Sequence, residues 1–446
     1  MLYNPNAACG ARSITIRNKA TAVLYYFTPY QPNAAALAAG YGVGNSCSAY
    51  GNRNFFLYFT SWFGSTHYSV SGAIATYWNA QGGAKGSLGD PMQNAVAAPG
   101  GQTQRFEGGT VYTSGAGTAQ VKGASQAEYA VQGGPGGALG WPRQDAVTKK
   151  DDGGGTVQAF EHGAVYASKA GAFAVDGGVA ARYALASSQA GALGWPTGDP
   201  VVSTAAGGGT WQPFQGGRIA VTSTASTVVT GVSLTKWVQR GAESGSLGWP
   251  TAEAGSVKAN GRTALVQQFS TGRTIALGSK VYTVTGDLYR NWRSHGAQGG
   301  SLGWPRGAAA QSAANGGGWS QRFEGGAVMT SPSLKTHLLQ GKELALFDER
   351  GGIAGSLGWP GGRQKLSAAG GGYVTPFTNG AIYRSKAGTI AVLGAIGQKY
   401  AAKGGPKSVL GWPTGSAKKE KGLLTQRFQH GRITWTAAGG AKASRR

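Results

Sequence analysis

From residue 72 onward, the apolar and polar positions recur in one fixed order. Apolar i,i+4 pairs come first: Ile74–Trp78, Val179–Tyr183, Leu288–Trp292 and Ile396–Tyr400 each line one face of a short helix. Gly pairs such as Gly82-Gly83 and Gly133-Gly134 follow and close it, because Gly accepts the left-handed position after a helix. Ten residues after each helix aromatic stands a Leu that opens the tetrapeptide LGWP. Then apolar residues alternate around a Gly-bearing turn, as in QRFEGGTVYT (104–113) and QRFEGGAVMT (321–330). That alternation predicts a β-hairpin. Val111, Val165, Ile219, Val328, Ile382 and Ile433 follow the turn Gly by two residues and can share a face with the Phe before it. The fourth copy departs, with Thr274 at that place and Ile275 next.

Aligned on the leucines, the landmarks keep step. LGWP begins at Leu139, Leu193, Leu247, Leu302, Leu357 and Leu410, with LGDP at Leu88, a period near 54 residues. A large aromatic precedes each Leu: Trp78, Tyr129, Tyr183, Trp237, Trp292, Phe347, Tyr400. A Phe follows each: Phe106, Phe160, Phe214, Phe269, Phe323, Phe377, Phe428. A fixed period of this length marks a repeat array. The expected fold is an α+β array of seven units: a helix of about three turns, an LGWP corner, a variable loop and a two-stranded hairpin. The units run at about 72–122, 123–176, 177–230, 231–285, 286–340, 341–394 and 395–438. Residues 439–446 are left as a basic tail, and residues 1–70 form a separate segment. The corner has a physical reading. Leu plugs the gap between helix and hairpin, Gly lets the backbone turn close against it, and Pro stops any element from continuing. One helix and one hairpin bury too little to stand alone, so each unit completes its neighbour's core. Closure of the array into a ring would remove exposed sheet edges.

Composition sharpens this picture. Gly numbers 79 of 446, yet the chain also holds 13 Trp, 18 Tyr and 14 Phe. Disordered chains are poor in aromatics, so the Gly serve as turn chemistry between many short elements. The 41 Lys+Arg against 17 Asp+Glu give a net charge of +24. Such a surface favours anionic partners, either nucleic acid or an anionic envelope polymer. The basic residues are dispersed and no nucleic-acid-binding signature accompanies them, so no nucleic-acid partner is expected. No stretch of 18 apolar residues is present, and no membrane span is expected.

Candidate chemistry is sparse. The first acidic residue is Asp90, so residues 1–89 offer no carboxylate for glycoside cleavage. Glu107, Glu161 and Glu324 follow the hairpin Phe. Gln215, Ser270, Thr378 and Gln429 fill the same place elsewhere, so these read as solvated or turn-bonding residues. The five His, at 67, 162, 295, 337 and 430, are scattered along the chain. No nucleophile elbow, phosphate-binding loop or metalloprotease motif occurs. Neither an enzyme activity, a cofactor nor a metal is expected. Two readings compete for Trp141, Trp195, Trp249, Trp304, Trp359 and Trp412. They pack beside Pro in each corner, or they are exposed platforms on which sugar rings stack. Packing is favoured, because large aromatics mostly serve cores.

The in-phase LGWP motifs resemble the LGFP repeat of actinobacterial cell-wall proteins. The resemblance covers residues 72–446 and implies mixed α/β repeats around a pseudo-symmetry axis. It further implies an extracellular, wall-associated protein that binds wall glycan, arabinogalactan or peptidoglycan, without catalysis. FTPYQPN (27–33) and CSAYGNRNF (47–55) resemble the C-terminal end of a lysozyme- or transglycosylase-like domain that often precedes such repeats. That likeness implies a mainly helical remnant ending around Trp62, in a chain that begins part-way. A truncated muralytic enzyme is the runner-up, and an adhesin for foreign glycan the third reading. Cys9 and Cys47 are either reduced or joined in a disulfide. An exported protein favours the disulfide, worth roughly 4 kcal/mol on a chain-entropy argument.

Overall fold

The structure is a computed structural model that describes residues 14–17, 24–27, 68–420 and 422–445. The chain divides into two compact units, Met1–Gly177 and Gly178–Arg446. Among the described residues are seven four-stranded antiparallel sheets and seven nine-residue helices, in strict alternation. The helices are α1 (Gly72–Ala80), α2 (Gly123–Val131), α3 (Gly177–Leu185), α4 (Gly231–Gln239), α5 (Gly286–Ser294), α6 (Gly341–Glu349) and α7 (Gly394–Ala402). The first unit holds α1, α2 and the first two sheets. The second holds the other five sheets and their helices.

Each sheet is a meander, with its strands neighbouring in chain order. In the first, Val96–Ala98, Gly101–Phe106, Gly109–Ser114 and Gly117–Val121 pair in sequence. The expected hairpin is therefore the middle of a four-stranded sheet, and this corrects the two-stranded reading. The first strand is only three residues long in most repeats, too short to display alternation. The fourth runs straight into the next helix, so its apolar residues blend with the helical pattern. Residues 439–446 are corrected for the same reason. Gly440–Arg445 is the fourth strand of the seventh sheet, paired from Thr436↔Gly440 to Gly431↔Arg445, not a tail. Each helix spans nine residues, about two and a half turns, not three.

Inside each repeat the three landmarks meet. The helix aromatic lies against the hairpin Phe, with ring centroids at 4.5 Å for Tyr129–Phe160, 5.7 Å for Trp292–Phe323 and 4.4 Å for Tyr400–Phe428. Where it carries a donor, that donor reaches the carbonyl of the corner Gly. Tyr129 Oη donates to Gly140 O (2.6 Å), Trp237 Nε1 to Gly248 O (2.9 Å) and Trp292 Nε1 to Gly303 O (2.9 Å). The corner Leu is at most 2% exposed in all seven copies. The corner Gly sits at φ between 61° and 72°, a left-handed conformation in which a side chain is strained.

The fourth sheet is the irregular one. Its first strand, Pro250–Ala259, is ten residues long and pairs with Arg262–Phe269 through two register shifts. In the N-terminal segment, Ile14–Arg17 and Leu24–Phe27 form an antiparallel pair. Cys9, Cys47, Trp62 and the rest of the expected helical remnant lie outside the described residues.

Candidate functional site

The corner tryptophans are core residues. Trp141, Trp195, Trp249, Trp304, Trp359 and Trp412 are 0–7% exposed. This corrects their candidacy as sugar platforms, because a ring enclosed on both faces offers none to a ligand. Four of the indoles reach back 42–45 residues into the preceding repeat. Nε1 donates from Trp141 to Pro99 O (3.2 Å), Trp249 to Ala205 O (2.8 Å), Trp304 to Ala259 O (3.0 Å) and Trp359 to Ala314 O (2.9 Å). At Trp141, Trp249, Trp359 and also Trp412 the ring fills a shelf left by a Gly that opens the second strand of that preceding sheet, whereas Ala264 holds that place before Trp304. A Cβ on Gly101, Gly209, Gly318 or Gly372 would lie 2.7–3.0 Å from the Cη2 of the next corner Trp.

The aligned turn residues are backbone partners of the same corners. The N–H of Trp141 donates to Glu161 Oε2 (2.8 Å), Trp195 to Gln215 Oε1 (2.8 Å), Trp304 to Glu324 Oε2 (3.1 Å) and Trp412 to Gln429 Oε1 (2.9 Å). Burial raises the Glu324 carboxyl, but the Trp304 N–H, Arg262 and Asn260 outweigh it and hold the group below its ordinary value.

Two open pockets lie between neighbouring repeats. There the C-terminal half of one helix faces the residue six beyond the next repeat's corner Leu, and the chain closes some junctions with a polar latch. Tyr77 Oη donates to Asp145 Oδ2 (2.7 Å), and Gln120 N–H to Asp145 Oδ1 (2.8 Å). Burial, then the Asp145 bond, hold the Tyr77 phenol well above its ordinary value. Arg182 pairs with Glu253 in the same way, and Arg350 donates to Ser416 Oγ (2.8 Å).

Two junctions in the second unit lack a latch. At one, the facing residue is Ala308, and a cleft of about 550 Å³ opens beside Lys236, Arg240 and Tyr282. At the other it is Arg363, and a pocket of about 200 Å³ opens beside Asn291, His295, His337, Glu343 and Thr375. The structure thus brings together two of the five scattered histidines, His295 and His337. His162 and His430 sit at the turns, where their N–H groups bond Leu139 O and Leu410 O at 3.0 Å. His67 lies outside the described residues. Among the described residues no group of three or more His, Cys, Asp or Glu could hold a metal, and no helix is long and apolar enough to cross a membrane.

Sequence reasoning missed two kinds of residue. One is the Gln two before the hairpin Phe. Gln104, Gln158, Gln212, Gln267, Gln321 and Gln426 are all buried, and in Gln104, Gln267, Gln321 and Gln426 the amide bridges two backbone carbonyls across the junction. Gln321 Nε2 reaches Thr283 O and Gly307 O, each at 3.0 Å. A polar residue kept in phase with the Phe was the available signal. The other is the exposed aromatic. Trp319 is 44% and Tyr373 39% exposed, at matching second-strand positions one repeat apart, and the Arg384 guanidinium stacks 4.6 Å from the Tyr373 ring. Tryptophans out of phase with helix and corner, Trp319 among them, were the signal there.

No protein with a curated description matches the sequence. Similar solved structures include virginiamycin B lyase from Staphylococcus aureus, at 7% identity over 69% of this chain and 84% of that one, with a TM-score of 0.10. The extracellular domain of a putative hybrid two component system from B. thetaiotaomicron is 10% identical over 79% of this chain and 40% of that one, with a TM-score of 0.12. PorZ from Porphyromonas gingivalis is 9% identical over 79% and 37%, also at 0.12. Scores this low carry no argument. The sequence family is a different matter. Residues 88–137, 139–191, 193–245, 302–355 and 357–408 each match the LGFP repeat. The gap falls on the fourth repeat, whose first strand is lengthened and bulged. With more than half its length matched, repeat by repeat in phase with the corners, the chain belongs to the LGFP repeat family, a cell-wall-associated repeat family.

Proposed function

We propose that this protein is an extracellular, non-catalytic binder of cell-wall glycan, either arabinogalactan or peptidoglycan, that holds an attached activity at the wall. The observation that carries the reading is the pair of unlatched clefts one repeat apart, both lined by polar and basic groups. Exposed Trp319 and Tyr373 add aromatic faces of the kind that sugar C–H surfaces favour. Small sites that recur within one compact unit gain avidity on a polymer that offers many copies of its unit. The net charge of +24 adds long-range attraction to phosphate- or uronate-bearing polymers.

The test is retention of the pure protein on purified walls, before and after selective removal of arabinogalactan or of anionic polymers. Binding is expected to weaken but persist as salt rises from about 0.1 M to about 1 M, where the Debye length falls from ~10 Å to ~3 Å. Soluble muropeptides or new reducing ends are not expected. Complete loss of binding at high salt would reduce the interaction to charge, and release of products at turnover would replace binding by catalysis.

A further inference from the structure

The pocket between the fifth and sixth repeats exists because this junction departs twice from the pattern of the others. The first departure is Thr375, at the position where six repeats carry the buried Gln. In four of those repeats the Gln amide lies across the junction. Gln104 Nε2 donates to Ser69 O (2.8 Å) and Gln93 O (2.9 Å), and Gln426 Nε2 to Ala391 O (3.3 Å) and Gly415 O (2.6 Å). The corresponding carbonyls here belong to Leu338 and Gly362, and a threonine is too short to span them. The second departure is Arg363, where Asp145, Glu253 and Ser416 latch other junctions. Together the two changes leave about 200 Å³, roughly seven waters' worth at ~30 Å³ each. That is room for one sugar ring and not for two.

The lining asks for a particular ligand. Thr375 is 2% exposed and its Oγ1 has no hydrogen-bond partner. Asn291 Oδ1 and His337 Nδ1 are likewise buried without one. The assigned His337 hydrogen bond has Nε2 donating to Leu334 O (2.5 Å), which leaves Nδ1 an acceptor. Glu343 adds a carboxylate, held by Gln364 and by Arg384 Nε at 3.2 Å. Among these buried groups, acceptors without donors outnumber donors, and a buried acceptor left unsatisfied is unfavourable. A ligand that stabilises this pocket must therefore bring several donors at once, on a compact ring, with at least one acceptor for Arg363. We infer that the pocket takes a single neutral sugar residue, whose hydroxyls donate to Asn291, His337 and Glu343 and whose ring or hydroxyl oxygens accept from Thr375 and Arg363. This deepens the wall-glycan reading above by assigning one subsite to one chain unit of the polymer.

The experiment uses the full chain and ligand-observed NMR titration with arabinose, galactose and N-acetylglucosamine, alongside methylammonium and inorganic phosphate. Thr375→Gln restores the residue of the other repeats. It should leave the melting temperature in place while weakening binding of the preferred sugar at least tenfold. Glu343→Gln, which keeps the shape, should weaken it severalfold. Equal sugar affinity in the wild type and both variants overturns the pocket assignment, as does tighter binding of methylammonium or phosphate than of any sugar. Wall retention is measured separately on the same samples. If it persists while no sugar senses Thr375→Gln, only the subsite is wrong. If the sugar responds as expected but walls do not retain the protein, the subsite stands and the wall-binding reading fails.

Discussion

Truncating Trp249 to Ala tests whether the corner tryptophans fasten one repeat to the one before. Trp249 is 3% exposed and packs among Ala220, Val229, Trp237, Leu247 and Phe269, so it belongs to sheets three and four at once. A buried Trp removes about 200 Å² from water, which at ~25 cal/mol per Å² is about 5 kcal/mol. Partial collapse of neighbours into the gap brings the expected loss to about 3–5 kcal/mol. The bond to Ala205 O adds little, about 1 kcal/mol or less, because that turn is near the surface and water can replace the indole N–H. Trp249→Phe should accordingly lose only about 1–2 kcal/mol. For a unit of this size the Ala variant should melt lower by on the order of 10 °C. The damage should be local, as in any array whose units touch only their neighbours. Hydrogen exchange read peptide by peptide should show amides of 209–221 and 250–269 losing protection, while those of 423–436 keep it. A melting curve and exchange pattern equal to wild type would refute the reasoning, and so would uniform loss of protection across all sheets.

Two further expectations concern pH. Glu324 is held below its ordinary carboxylate value of 4.5, so its contribution is fully present above that pH and lost as pH falls through the lower folded-state value. Glu324→Gln should flatten the acid limb of a plot of melting temperature against pH, and an unchanged slope would remove Glu324 from the account. Burial pushes the Tyr383 phenol from 10.0 up to about 12, and Tyr129 and Tyr400 are also raised, chiefly by burial. A raised value favours the protonated fold, so this stability is present below about pH 10 and lost as pH climbs through 12. Tyr383→Phe should show a shallower alkaline loss in denaturant titrations, and parallel curves would contradict the assignment.

The parts of the fold legible in the sequence were those whose chemistry repeats with the period. Leu139, Tyr129 and Phe160 recur because each contributes to one core in every copy, and the structure brings all three together. The strands flanking the hairpin were hidden because three residues such as Val96–Ala98 cannot show alternation, and because Gly117–Val121 abuts α2. The open junctions were hidden for another reason. A pocket is defined by what one repeat lacks relative to its copies, and Thr375 or Ala308 looks ordinary until the buried Gln and the latch opposite it are known. Trp burial was decided by tertiary contact with Gly101 or Gly318 a full repeat upstream, which no local window contains.

The tryptophan and the glycine shelf it covers give the array a direction. At Trp141, Trp249, Trp359 and Trp412 the corner is a plug, and the sheet before it offers a socket at Gly101, Gly209, Gly318 or Gly372. The first corner and the seventh sheet depart from this fit. The first corner bears Asp90 where the others bear Trp. The last sheet bears Leu423, 38% exposed, at the place held by Gly101, Gly209, Gly318 and Gly372. A repeat moved to a new position in the series therefore carries the wrong terminus unless these two letters change with it. Grafting an additional copy behind the seventh sheet calls for a small residue at 423, Gly or the Ala that stands at 264, to accept its Trp, and one ahead of the first sheet calls for Asp90→Trp to grip it. Asp90 and Leu423 thus act as punctuation for this kind of joint, while the interior joints keep individual characters, with Ala264 at the shelf position of the fourth sheet and Thr375 in place of Gln in the sixth repeat.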